Sequence, residues 1–189
     1  MRTFTISRTR TSLLASTVAA GLLALGLAGC NSGSALPAHD AKKAAVALQA
    51  GLDAQTTGKL DAARQKYEEA LTYDPKNKFA LYDLALVDQA QANYGVASDR
   101  YRAALAVDPA YEPALFNLAI LRKQAGDTTE AISLYQRVLQ ANPKNAAAQL
   151  NLGLLLRATH QKAAGDAAIA AAIKLNPQLK DPAAKTSAS

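Results

Sequence analysis

The chain has 189 residues, half of them hydrophobic and few aromatic, with no Trp and a single Cys, a length suited to one modest domain. One cysteine excludes an intrachain disulfide, and Cys30 with only His39 and His160 is too little for a metal site. The formal charge of +6 overstates the basicity, because Arg2, Arg8 and Arg10 all precede the first acidic residue, and without them 18 Lys/Arg face 15 Asp/Glu. That surplus is scattered, which excludes the clustered basic stripe of a nucleic-acid surface.

Residues 1–12 carry the three arginines, and Leu13 to Gly29 is an uncharged apolar run. Cations, then an apolar run, then the small pair Ala28-Gly29 predict an export signal over 1–29. The run is too short, and too diluted by Ala, Gly, Ser16 and Thr17, for a spanning helix of about 20 strongly apolar residues. Leu27-Ala28-Gly29-Cys30 resembles the lipobox of bacterial lipoproteins. That resemblance implies that the Cys30 sulfur carries a diacylglycerol and that the signal is cut before it. A thiolate is the one strong nucleophile available there, and two or three acyl chains anchor durably where one does not. Residues 30–40 then form a lipidated start and a flexible tether. The expected localisation is exported and lipid-anchored, on the outer face of a cytoplasmic membrane or the periplasmic face of an outer membrane.

Asp40 is the expected N-cap of the first helix. Beyond it, Pro75, Pro109, Pro143 and Pro177 recur every 34 residues in "TYDP", "AVDP", "QANP" and "KLNP". The residue before a proline is pushed out of the α region, so each pair ends a helix. Four units result: 44–77, 78–111, 112–145 and 146–179. Small residues recur at the eighth position (Gly51, Ala85, Ala119, Gly153), the twentieth (Ala63, Ala97, Ala131, Gly165) and the twenty-seventh (Ala70, Ala104, Val138, Ala172). Large ones fill the seventh (Leu84, Leu118, Leu152) and twenty-fourth (Tyr67, Tyr101, Tyr135).

This pattern resembles the tetratricopeptide (TPR) repeat, a 34-residue helix-turn-helix. The third unit, "EPALFNLAILRKQAGDTTEAISLYQRVLQANPKN", is the best copy, with Gly126 in its inter-helix turn. Departures are Ala47 and Gln149 at the fourth position, Asp88 and Arg122 at the eleventh, and Ile169 at the twenty-fourth. The resemblance implies an all-α solenoid over 41–179, with eight antiparallel helices stacked into a right-handed arc, and a disordered tail over 180–189. Stability in such a stack comes from neighbouring repeats.

The same resemblance puts the first helix of each unit on the concave side. Its second, fifth, ninth and twelfth positions are spaced as one helical face. The expected partner-binding groove comprises Leu48, Leu52, Phe79, Tyr82, Leu86, Phe116, Ile120, Lys123, Leu150, Leu154 and Arg157, with Asn117 and Asn151 at the sixth position able to meet a ligand backbone. Gln55, Gln89 and Pro113 complete the stripe. Lys123 and Arg157 are placed to meet acidic groups of a partner. For any one residue, the alternative is that it turns sideways into the neighbouring repeat as ordinary core. The carboxylate clamp of certain family members, Lys at the fifth position and Asn at the ninth, is absent: Leu48/Leu52, Tyr82/Leu86, Phe116/Ile120 and Leu150/Leu154 stand there.

The sequence shows no phosphate loop, nucleophile elbow or metal spacing. His39, His160 and Glu68-Glu69 read as solvated surface. No catalytic residue, metal or other cofactor is expected, and the protein is not expected to be an enzyme. Two functions remain. One is a membrane-anchored scaffold that binds a protein or peptide segment in the groove during envelope assembly. The other is a structural subunit that self-associates through the uncapped C-terminal repeat, whose last helix, "KAAGDAAIAAAIKL", is mostly alanine.

Overall fold

The computed structural model describes residues 39–182; the signal, Cys30 and most of the tether lie outside the described residues, as do 183–189. Among the described residues there are eight α-helices and no strand: α1 (Ala41–Thr56), α2 (Leu60–Tyr73), α3 (Lys78–Ala90), α4 (Tyr94–Val107), α5 (Glu112–Gln124), α6 (Thr128–Ala141), α7 (Ala146–Ala158) and α8 (Lys162–Leu175). Each packs on its chain neighbours, most extensively within its own hairpin.

Helix starts follow capping chemistry. The Asp40 side chain accepts from the Lys43 N–H at 3.0 Å, and Asn77, Asp127 and Asn145 do the same for α3, α6 and α7. Each occupies a donor that no helical carbonyl reaches. Helix ends within the hairpins share one geometry. Gly58, Ala92, Gly126 and His160 stand 34 residues apart with φ of 72°, 62°, 80° and 63°. The residue after each donates back to the preceding helix, as in Lys59 N–H to Ala54 O at 2.9 Å and Gln161 N–H to Leu156 O at 2.9 Å. These are Schellman closures, in which a left-handed residue satisfies the last carbonyls.

The Asp/Asn-Pro pairs end the second helices by a second device. Asp74, Asp108, Asn142 and Asn176 leave the helix at φ near −140°. Each side-chain Oδ1 then accepts from the backbone N–H two residues on: Lys76 at 3.3 Å, Ala110 at 3.1 Å, Lys144 at 3.1 Å and Gln178 at 3.1 Å. Proline ends the helix, and the Asx turn before it fixes the direction of the next one.

The core is a ladder of large against small. Tyr67, Tyr101, Tyr135 and Ile169 are buried where the second helix of each hairpin faces the small eighth-position residues of the first. Gly51 lies directly against the Tyr67 ring, and a Cβ on Gly153 would stand 2.6 Å from Ile169 Cγ1 and 2.8 Å from the Gly165 carbonyl oxygen. Gly153 and Gly165 therefore let α7 and α8 approach more closely than alanine would allow.

Polar bolts tie helices together within and between repeats. Lys78 Nζ meets Asp108 Oδ2 at 2.6 Å, and Glu112 Oε1 accepts from Asn142 and Asn145 at 3.1 and 2.7 Å. The eleventh-position departures belong to this set. Asp88 is buried between Arg64, 2.7 Å from its Oδ1, and Arg100, whose Nε lies 2.6 Å from Oδ2 as a charge pair without hydrogen-bond alignment. Arg122 donates to Ser98 Oγ at 2.6 Å. These charges replace an apolar contact between hairpins, and the paired carboxylate offsets its desolvation through two guanidinium groups.

Candidate partner-binding face

The expected groove residues share the first-helix face but differ in what they do there. Leu48 and Leu52 are half-buried against a cluster around Tyr67, Leu84 and Val87. Leu86, Ile120 and Phe116 pack on the larger cluster that runs through the last three repeats. Leu150 and Leu154 are half-buried on α7. Most of the stripe thus divides each side chain between core and surface.

Phe79 is the exception, 49% exposed at the start of α3. It begins an aromatic chain: Phe79 lies edge-on to Tyr111 at 5.9 Å, Tyr111 edge-on to Tyr82 at 5.4 Å, and Tyr82 tilts against Tyr101 at 5.7 Å. Phe116 repeats the edge-to-face contact with Tyr135 one hairpin on, at 5.7 Å. Edge-to-face contacts hold these rings in place. Lys78 Nζ adds a cation 5.2 Å from the Phe79 ring centre and 5.1 Å from that of Tyr111.

The polar stripe residues already have partners. Asn117 donates to the Tyr82 hydroxyl at 3.0 Å, and Lys123 donates to Asn151 Oδ1 at 2.8 Å. Gln55 and Gln89 accept from the buried hydroxyls of Tyr67 and Tyr101 at 2.6 and 2.9 Å. Arg157, expected to face a partner, instead holds Asp166 at 2.5 Å and Asp181 in a fork of 2.7 and 2.8 Å. Asp181 belongs to the segment after α8, so the start of the expected tail lies on α7. Lys123 remains exposed with a single neutral acceptor.

Asp83, at the sixth position of the second unit, has no part in the sequence-derived groove. It is half-buried on α3 next to Tyr82, and burial pushes its carboxyl up to about 6. It accepts no hydrogen bond and pairs with no cation among the described residues. Asn117 and Asn151, both singled out in the sequence, occupy the equivalent place; the register was the signal that could have found it. Burial and the nearby carboxylate raise the Tyr82 hydroxyl as well, against the lowering effect of the Asn117 hydrogen bond.

Among the described residues no group of His, Cys, Asp or Glu is placed to hold a metal, and no helix is long and apolar enough to cross a membrane.

Eight helices in four hairpins of 34 residues define a helical-repeat solenoid. The tetratricopeptide repeat family model matches residues 48–88 and 116–179, more than half of the chain, and the chain belongs to that family. Among curated proteins it is similar to cellulose synthase 1 operon protein C of Komagataeibacter xylinus, 51% identical over 39 residues, which are 21% of this chain. The match spans only 3% of that relative's length. Among solved structures, the first TPR of Spaghetti (RPAP3) bound to the HSP90 peptide SRMEEVD is 26% identical, with TM-score 0.61, covering 64% of this chain and 96% of that one. MamA of Desulfovibrio magneticus is 20% identical with TM-score 0.67, covering 73% of this chain and 78% of that one, a likeness of fold.

Proposed function

We propose that this protein is a membrane-anchored scaffold whose first-helix face captures an apolar segment of a protein partner during assembly of an envelope complex. The observation that carries this reading is the aromatic chain from Phe79 through Tyr111 to Tyr82. It pairs a half-exposed ring with rings fixed by their neighbours, an anchor that loses little entropy on binding. The TPR neighbour bound to a peptide is consistent with that use of the fold. The mode would be a helix or extended segment lying across successive repeats. Side chains at the carboxylate-clamp positions are apolar here, so the recognised segment is internal rather than a C-terminus.

Anchoring is supported by Leu27-Ala28-Gly29-Cys30 in the sequence. Cys30→Ser should abolish labelling of the protein with palmitate and release it from membranes while leaving the repeats folded; a labelled variant would end the anchoring proposal. For the groove, Phe79→Ala, Tyr82→Ala and Phe116→Ala together should abolish crosslinked capture of partner from native membranes, with far-UV helicity retained. Capture undiminished in that variant would move the site elsewhere.

A second reading, self-association through the last repeat, draws on the alanine face of α8 and on Leu175, which is 43% exposed. The mass of the soluble form lacking residues 1–30 separates the two readings. A monomer at micromolar concentration removes self-association.

A further inference from the structure

We propose that the partner segment presents a basic side chain, Lys or Arg, to Asp83 at the boundary between the first and second repeats. This rests on the groove reading above and adds the chemistry of what enters it.

The sixth position of each later repeat reaches the stripe of the repeat before it. Asn117 finds the Tyr82 hydroxyl at 3.0 Å, and Asn151 finds the Lys123 ammonium at 2.8 Å. The same step from Asp83 leads back to the first repeat, whose stripe offers Leu48 and Leu52, which have no donor, and Gln55, whose oxygen accepts from Tyr67 and whose amide nitrogen makes no hydrogen bond to Asp83. Asp83 couples electrostatically to Tyr67 behind it as well as to Tyr82, Tyr101 and Tyr111. It stands next to Tyr82 on α3, whose ring meets those of Tyr101 and Tyr111 at 5.7 and 5.4 Å.

Among the described residues no cation pairs with it. Three basic residues of the adjoining helices are committed elsewhere: Arg64 and Arg100 to Asp88, and Lys78 to Asp108. Asparagine at the same register in two other repeats shows that packing does not demand a carboxylate. A half-buried acceptor-only group without a donor carries a desolvation penalty, and burial has raised its affinity for a proton accordingly. An incoming ammonium or guanidinium group would remove that penalty. The faces of Tyr82 and its neighbours add cation–π attraction, and the leucines beside the seam suit the aliphatic stem of Lys or Arg. A neutral or acidic side chain meets none of these features.

The test is selection of displayed random 12-residue peptides on the full-length protein in detergent, followed by affinity measurement of the enriched peptides. Peptides that depend on Phe79, Tyr82 and Phe116 should carry Lys or Arg at a fixed spacing from their apolar residues. Asp83→Asn should weaken them roughly tenfold, and changing that basic residue to Gln should cause no further loss in Asp83→Asn. Asn at this register is already accepted by the fold, and far-UV helicity checks the variant. Groove-dependent peptides that lack a basic preference, or that bind Asp83→Asn equally well, overturn the cation proposal and leave the groove standing. Peptides indifferent to the triple groove variant, or no enrichment at all, overturn both.

Discussion

Asp83 shows how one residue can work against the fold it belongs to. A carboxyl raised from 3.8 to about 6 by burial binds a proton more tightly folded than unfolded. Between those values the folded state holds the extra proton, so stability falls as pH rises through the window and is level above it. After allowance for the part of the group still in water, the ionised form costs on the order of 2 kcal/mol at neutral pH. The titratable groups that its charge influences are the hydroxyls of Tyr67 on α2, Tyr82 on α3, Tyr101 on α4 and Tyr111, none of which ionises in that range. Asp83→Asn should therefore raise the urea midpoint at pH 7.5 and leave it unchanged near pH 3.5. Equal gains at both values would show that the carboxyl bears no such cost.

At the scale of elements, the hairpin turn and the Asp/Asn-Pro turn are each made four times from one geometry. The first demands a left-handed residue at its close, supplied by glycine in two repeats and by Ala92 and His160 in the others. A side chain in that region costs about 1 kcal/mol. His160→Gly should stabilise by about that amount in a thermal or urea melt, and an unchanged midpoint would mean that the imidazole makes compensating contacts. The proline ruler made the helix ends legible in the sequence because proline acts locally, and small residues every 34 marked the packed faces because close approach leaves no other choice. What pattern could not show was pairing across repeats. Asp88 and Arg122 read as departures from the family, yet they are charged bolts whose partners lie on other helices. Arg157 reads as a ligand-facing cation until Asp166 and Asp181 are seen to hold it. Asp83 escaped notice because nothing in its own helix shows that no donor of the preceding repeat bonds it.

Across the whole molecule, no hairpin buries both of its faces alone, and the largest buried cluster runs through the last three repeats because each rests on its neighbours. The same construction leaves a row of first helices whose side chains are half core and half surface. Such a row is preorganised: its aromatic rings are held by the stack before any ligand arrives, and binding then needs little ordering of the protein. Tethering through Cys30 would add effective concentration at the membrane without adding a contact. Capture of a partner along the first-helix face is the claim on which the rest depends. The most direct measurement places a photoactivatable crosslinking residue at Leu86 on that face, and in a separate protein at Ser133, exposed on α6, with both irradiated in intact cells. Capture along the first-helix face predicts a discrete partner adduct from position 86 that is absent from position 133. An adduct from 133 alone, or the same adduct from both, would contradict it.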